Sequence, residues 1–413
     1  MEPAGRQRYA EVMDARAEPK EIELWEAVSR DPALQRRLVA ASSGDQALQV
    51  IRDSAIDPRG AVAFCREESP RWDGPPRVLR ENAPPAQWLP VQMFEDEGGL
   101  KVEWHHFGFA RLTEPFFEQS WARAAALPAQ SLLRMQTPVD AFFEFRSAPS
   151  PDGLVLHMSR CGSTLVAQML AELGEVTVVA EAPVFDAVLR LHRSGRLTAD
   201  HLRGAAAALT RMRHPDTRRA VFKLDAWHTP CWPTLASVFP KAPAIFLHRD
   251  PVEVLVSQEH RPGMHVTPGQ LPLSLYGFTG EERVAGADHA AWAIAQIAKA
   301  GLEAVVRGFA DPVAHADLPD ALLAKILPHF GIATDDAARK RLVEAGLRYS
   351  KDPSRTYLPD AQAKRASASP ELRARVEAFG LDRMHASLVQ ARNRLHGPLA
   401  QQKTSVRVGF RFD

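Results

Sequence analysis

The chain has few cysteines, no balance of charge toward either sign and no uninterrupted apolar run long enough to cross a bilayer. Three cysteines among 413 residues (Cys65, Cys161, Cys231) form no paired spacing, which excludes a disulfide framework and a zinc ribbon. Basic and acidic residues nearly cancel, 51 against 50, so no global field draws the protein to nucleic acid or to an anionic membrane. The longest helical apolar stretch, "HAAWAIAQIAKAGLEAVV", carries Lys299 and reads as a core helix, since a span needs about 20 apolar residues. The first 25 residues are charged throughout and contain no apolar segment of the kind a signal peptide needs. The expectation is a cytoplasmic protein.

What is present is organised in two parts. Residues 1–60 alternate charged and apolar positions at helical spacing, and "PRWDGPPRVLRENAPPAQWLP" is proline-rich, irregular backbone. "VQMFEDEGGLKVEWHHFGF" reads as a hairpin around Gly98 and Gly99. The module's aromatics Trp88, Trp104, Phe107, Phe109, Phe116, Phe117 and Trp121 are read as core rather than as a ligand box. "RSAPSPDG" (146–153) separates this N-terminal α+β module, residues 1–150, from a second domain, residues 151–413. In the second domain short apolar strands alternate with amphipathic helices: "LVLHM", "VTVVA", "AVFKL" and "AIFLH" are the strands. The fold class is α/β, with a P-loop-type three-layer core around a mostly parallel sheet.

One more absence is the informative one. "LVLHMSRCGSTLVAQML" (154–170) has the strand, tight turn and helix of a phosphate-binding loop, yet Ser163 stands where ATP and GTP enzymes place lysine. Ser159, Arg160, Cys161, Gly162, Ser163 and Thr164 make the candidate cradle: backbone N–H groups at a helix start, two hydroxyls, and a guanidinium able to fork onto phosphate or sulfate oxygens. Losing the lysine removes the cation for β- and γ-phosphates, which suits a donor without a γ-phosphate. A glycine-rich turn alone is also compatible with an ordinary strand-to-helix connection. A second segment, "AIFLHRDPVEVLVSQ", runs a strand into Arg249, with Asp250 as helix cap, Pro251 in the first turn, Glu253 at the capping-box position and Ser257 two turns on. Arg249 and Ser257 make a second anion pocket at the same sheet edge, which points to a nucleotide phosphorylated at two ends.

"SRCGST" and "RDPVEVLVS", in this order and on this strand pattern, resemble the sulfotransferases that use 3′-phosphoadenosine 5′-phosphosulfate (PAPS). That family has an R-S-G-T-T-like loop and an R-x-P-x-x-x-x-x-S element. The resemblance covers residues 153 to about 260 and departs from the family at Cys161, where serine is usual. It implies sulfuryl transfer to a hydroxyl or amine of a small-molecule, glycan or peptide acceptor, with PAPS as donor and no metal. The loop would hold the phosphosulfate, and Arg249 with Ser257 the 3′-phosphate. Candidate catalytic residues are Glu181 as base after "VTVVA", Lys223 as the cation ending the third strand, His228 as runner-up base, and Arg160. Glu181 is equally readable as a carboxylate stabilising the start of the helix at Pro183, and His228 as a solvated loop histidine. The alternatives are an ATP-dependent small-molecule kinase and a nucleotide-binding protein without turnover. No nucleic acid or membrane partner is expected. The N-terminal module could shape the acceptor pocket or mediate homodimerisation. "RYSKDPSRTYLPDAQAKR", with Tyr349, Lys351, Arg355, Lys364 and Arg365, could close over the donor.

Overall fold

A computed structural model describes residues 24, 27–28, 31–56, 78–79, 81–126, 135–277, 284, 286–346 and 360–396. The chain forms two compact units, one of residues 1–149 with 182–218, the other of 150–181 with 219–413.

In the first unit α1 (Pro32–Ala40) starts at Asp31, whose carboxylate accepts from the N–H groups of Ala33 and Leu34. α2 (Gly44–Asp53) follows, capped by Ser43. A four-stranded sheet of order β1-β4-β3-β2 comprises β1 (Val78–Leu79), β2 (Trp88–Asp96), β3 (Gly99–His106) and β4 (Met135–Pro138). β2 and β3 are the expected hairpin. Asp96 pairs with Gly99 across a two-residue turn, and Gly99 takes the positive φ of 96° that only glycine adopts freely. The register slips between Pro90 and Gln92, where proline has no N–H to give the ladder. α3 (Phe117–Ala125) follows β3. Trp88, Trp104, Phe107 and Phe117 are buried, as a core reading of these aromatics requires, while Phe116 and Trp121 are half-buried.

The second unit begins with β5 (Gly153–His157), α4 (Ser163–Ala171) and β6 (Val176–Ala180). Two helices of the first unit come next in the chain, α5 (Pro183–Arg193) and α6 (Ala199–Leu209). Gly204 of α6 lies so close to the carbonyl of Phe142 that a Cβ would come within 2.0 Å of its oxygen. The second unit resumes with β7 (Arg219–Lys223), α7 (Trp232–Val238), β8 (Ala244–His248), α8 (Pro251–His260), α9 (His289–Val306) and β9 (Ala310–Ala314). It ends with α10 (Asp336–Gly346), α11 (Ala361–Ser367), α12 (Pro370–Ala378) and α13 (Leu381–His396).

Its sheet is wholly parallel, of order β6-β7-β5-β8-β9. The four apolar strands legible in the sequence are its first four. β9, "ADPVA", is the fifth, and its Pro312 is tolerated because the strand lies at the edge. Helices complete a three-layer α/β core. Gly301 of α9 packs onto the ring of Phe246 in β8, where a Cβ would come within 2.1 Å, and Gly346 of α10 lies against Met169 of α4. Among the described residues no helix is long and apolar enough to cross a membrane.

Candidate functional site

All five parallel strands end at one edge, and the loop after the central strand β5 opens there. Ser159, Arg160 and Gly162 have φ of 74°, 49° and 90°. Left-handed backbone costs a non-glycine residue about 1–2 kcal/mol, so the loop must be held from outside. His157 and Gln258 do this. The Ser159 N–H donates to Nδ1 of His157 (3.1 Å), His157 Nε2 donates to the carbonyl of Leu224 (2.8 Å), and Gln258 Nε2 donates to Ser159 Oγ (2.9 Å). Gly162 is required twice over, by its φ and because a Cβ would sit 2.6 Å from Leu318 and 3.1 Å from His315. As N-cap of α4 it offers no side-chain acceptor to the first-turn amides, an arrangement that suits an anion cradle. Cys161 is fully buried, and burial pushes its thiol up to about 12. It packs; it does not react.

The strands on either side of β5 each bring a cation to this edge. β7 ends in Lys223, whose ammonium is 1% exposed and ion-paired with Glu181 Oε1. Glu181 follows β6 at φ 54°, fixed by its N–H donating to the Lys223 carbonyl (2.8 Å). Burial alone would raise the Glu181 carboxyl; the Lys223 ammonium and the imidazole of His157, 3.6 Å away, reverse this and hold it well below the carboxylate range. The same burial, with Lys223 nearby, keeps His157 neutral against the pull of Glu181. Glu181 is therefore an ionised acceptor beside a buried cation.

Beyond β8 stands Arg249, buried, its N–H donating to the sulfur of Met158 (3.1 Å). Asp250 caps α8 through the Val252 N–H (2.9 Å) and Pro251 occupies the first turn, as the sequence suggests. Glu253 does not close a capping box. Its carboxylate accepts from Arg249 Nε (2.6 Å), because the i,i+4 guanidinium is the stronger donor. Arg249 Nη2 donates to Asp360 (2.7 Å), which also pairs with Lys364 (2.7 Å), and Arg365 lies 3.2 Å from Glu253. The second anion pocket thus holds two carboxylates of the protein's own. Ser257 is half-buried one turn beyond Glu253.

Arg160 donates to the carbonyl of Arg261, just past α8. His228 is buried, not a solvated loop residue. Its Nδ1 accepts from the Asp225 N–H (3.3 Å) and its Nε2 lies 3.7 Å from the Asp225 carboxylate, so it locks the turn after β7. Tyr349, Lys351 and Arg355 lie outside the described residues.

Three residues at the site escaped the sequence. His157 had a signal, a polar residue inside an apolar strand. His265 is buried beside Gln258 (3.3 Å), and burial, then His157 and Arg160, lower it to about 3. His315 follows β9 and faces Gly162, and burial lowers it to about 4.

No family model matches the sequence, and no curated protein does. Among solved structures the chain is similar to a sulfotransferase from Mycobacterium avium, at 15% identity and TM-score 0.35, over 55% of this chain and 79% of that one. It is also similar to the sulfotransferase domain of the curacin biosynthetic pathway, at 15% identity and TM-score 0.36, over 56% and 98%. A third is the sulfotransferase domain of the Synechococcus olefin synthase, at 17% identity and TM-score 0.31, over 56% and 95%.

Proposed function

We propose that the protein is a sulfotransferase that moves the sulfuryl group of PAPS to a hydroxyl or amine acceptor. The observation that carries this reading is a lysine-free loop, left-handed at Ser159, Arg160 and Gly162, flanked by cations at the exits of both neighbouring strands, Lys223 and Arg249. In this reading the first-turn amides of α4, with Ser163 and Thr164, hold the phosphosulfate. Lys223 neutralises charge growing on the oxygen between phosphorus and sulfur as that S–O bond breaks. The acceptor oxygen or nitrogen forms the new bond to sulfur, and its proton passes to Glu181. His157 positions both loop and carboxylate. Arg249 meets the 3′-phosphate, with Ser257 beside it. His228 keeps the β7 turn in place.

The test is calorimetric titration with adenosine 3′,5′-bisphosphate, AMP and ATP, with and without magnesium. The bisphosphate is expected to bind without magnesium at least about tenfold tighter than AMP, a difference near 1.4 kcal/mol for one charge-assisted phosphate contact. A preference for ATP with magnesium, or equal affinity for bisphosphate and AMP, overturns the reading.

A further inference from the structure

Among the described residues of the first unit, one buried cation has no carboxylate paired with it. Arg213, in the segment after α6, is 6% exposed. Its Nη1 donates to the carbonyls of Ala110 (2.7 Å) and Gly108 (3.2 Å), and its guanidinium carbon lies 5.7 Å from the centre of the Phe107 ring. Its Nε is buried with no acceptor. Among the described residues no aspartate or glutamate pairs with it. Burial and then the neighbouring cation Arg123 lower its pKa to about 10. Arg211, two residues earlier, is half-buried, its Nη1 and Nη2 donate to the carbonyls of Pro84 and Trp88, and it feels the charge of Glu144. Buried charge without a counter-charge is costly, and carbonyl dipoles do not supply one.

Arg213 also lines a cavity of about 510 Å³, within the size range of small-molecule sites. Arg36, Phe109, Met212, His214 and Arg218 form most of the remaining wall, and no carboxylate is among the described lining residues. The Arg36 guanidinium carbon stands 5.9 Å from the centre of the Phe109 ring, and Met212 is 50% exposed. The wall is therefore built from three arginine side chains, of which Arg36 and Arg218 are exposed, and from two apolar surfaces.

We infer that this cavity binds a small organic anion with a flat apolar body, an aryl carboxylate or an aryl ester of sulfate or phosphate. The charged end supplies the counter-charge that Arg213 lacks. The ring packs against Phe109 and Met212, and Arg36 and Arg218 sit where they screen the anion. The site belongs to the first unit and uses none of the residues at the parallel-sheet edge, so it stands whether or not the sulfotransferase reading does.

The experiment is titration of the full chain with 2-naphthoate, its uncharged amide, and inorganic phosphate, followed by calorimetry and by thermal shift. 2-Naphthoate is expected to bind at least about tenfold tighter than the amide or phosphate alone, since neither carries both charge and ring. It should also raise the Tm in proportion to occupancy. The double variant Arg36→Ala/Arg218→Ala, both exposed, should keep the wild-type Tm and bind naphthoate several-fold more weakly. Arg213→Met should lose the naphthoate-dependent rise in Tm. Equal binding of acid and amide, no binding at millimolar naphthoate, or an unchanged affinity in the surface double variant would each overturn the inference. The last result also decides the matter if Arg213→Met does not fold.

Discussion

At the scale of single residues the site turns on Glu181 and Lys223. Lys223 is essentially inaccessible to water, and the Glu181 carboxylate that faces it supplies a counter-charge for its ammonium. Replacing Glu181 by Gln removes the counter-charge and leaves the cation in place. At pH 7 the variant should be less stable by about 2–3 kcal/mol, toward the low end for a buried pair because the Glu181 side chain is partly exposed. Lys223→Met/Glu181→Gln should recover much of that loss, because no uncompensated charge remains buried. Urea unfolding of wild type, both single variants and the double variant measures the coupling. Additive losses would mean that the ion pair is incidental. The pH dependence has a definite sign. The Glu181 carboxyl is held below its unfolded value, so its contribution is complete above about pH 4.5 and is lost as pH falls below that, a limb that Glu181→Gln should flatten.

At the scale of elements the informative contact lies between α8 and the start of α11. Lys364, Asp360, Arg249, Glu253 and Arg365 form a chain of contacts alternating in sign, and Asp360 takes the place on Arg249 that a phosphate oxygen would need. If the proposed donor binds, its 3′-phosphate must exchange with Asp360, while Lys364 and Arg365 stay nearby as cations. Asp360→Asn should therefore tighten adenosine 3′,5′-bisphosphate by roughly threefold to tenfold and leave AMP unchanged, as expected when a competing charge is removed. A weaker bisphosphate complex would mean that Asp360 orients Arg249 rather than competing with the ligand. The sequence put Lys364 and Arg365 on a segment that could close over the donor, but the Asp360–Arg249 contact was not legible, since residues 249 and 360 are far apart in the chain and no local pattern links them. The loop, the first four strands and the α8 cap were legible, because turn chemistry, apolar runs and Asp-Pro at a helix start are local signals. β9 was not, since "ADPVA" is short, carries proline and becomes a strand only through pairing with β8. His265 and His315 were missed for the same reason. Their burial comes from distant elements, and a histidine in a loop looks alike whether buried or exposed.

At the scale of the whole molecule the buried histidines decide how the protein meets acid. Burial, the largest cause in every case, lowers His106, His248 and His265 to about 3 and His315 to about 4, and lowers His157 as well. An unfolded imidazole titrates near 6.5, so between about pH 6.5 and 4 the unfolded chain binds protons that the native chain refuses. Native stability is then complete above about pH 6.5 and declines as pH falls, by up to about 1.4 kcal/mol per pH unit for each such group. The groups are unevenly shared. His106 belongs to the first unit; His157, His248, His265 and His315 all belong to the second. Around His248 the effect is compounded, because its Nδ1 faces Nδ1 of His385 at 3.4 Å and its Nε2 has no acceptor among the described residues, so a second proton there meets the first. The second unit should therefore loosen at a higher pH than the first. Hydrogen exchange followed by mass spectrometry at pH 7, 6 and 5, corrected for intrinsic rates, should show amides of β5, β8 and α8 losing protection while those of the β2–β3 hairpin keep theirs. Simultaneous loss in both units would mean that their unfolding is one cooperative event, and earlier loss in the hairpin would mean that His106 alone outweighs the four.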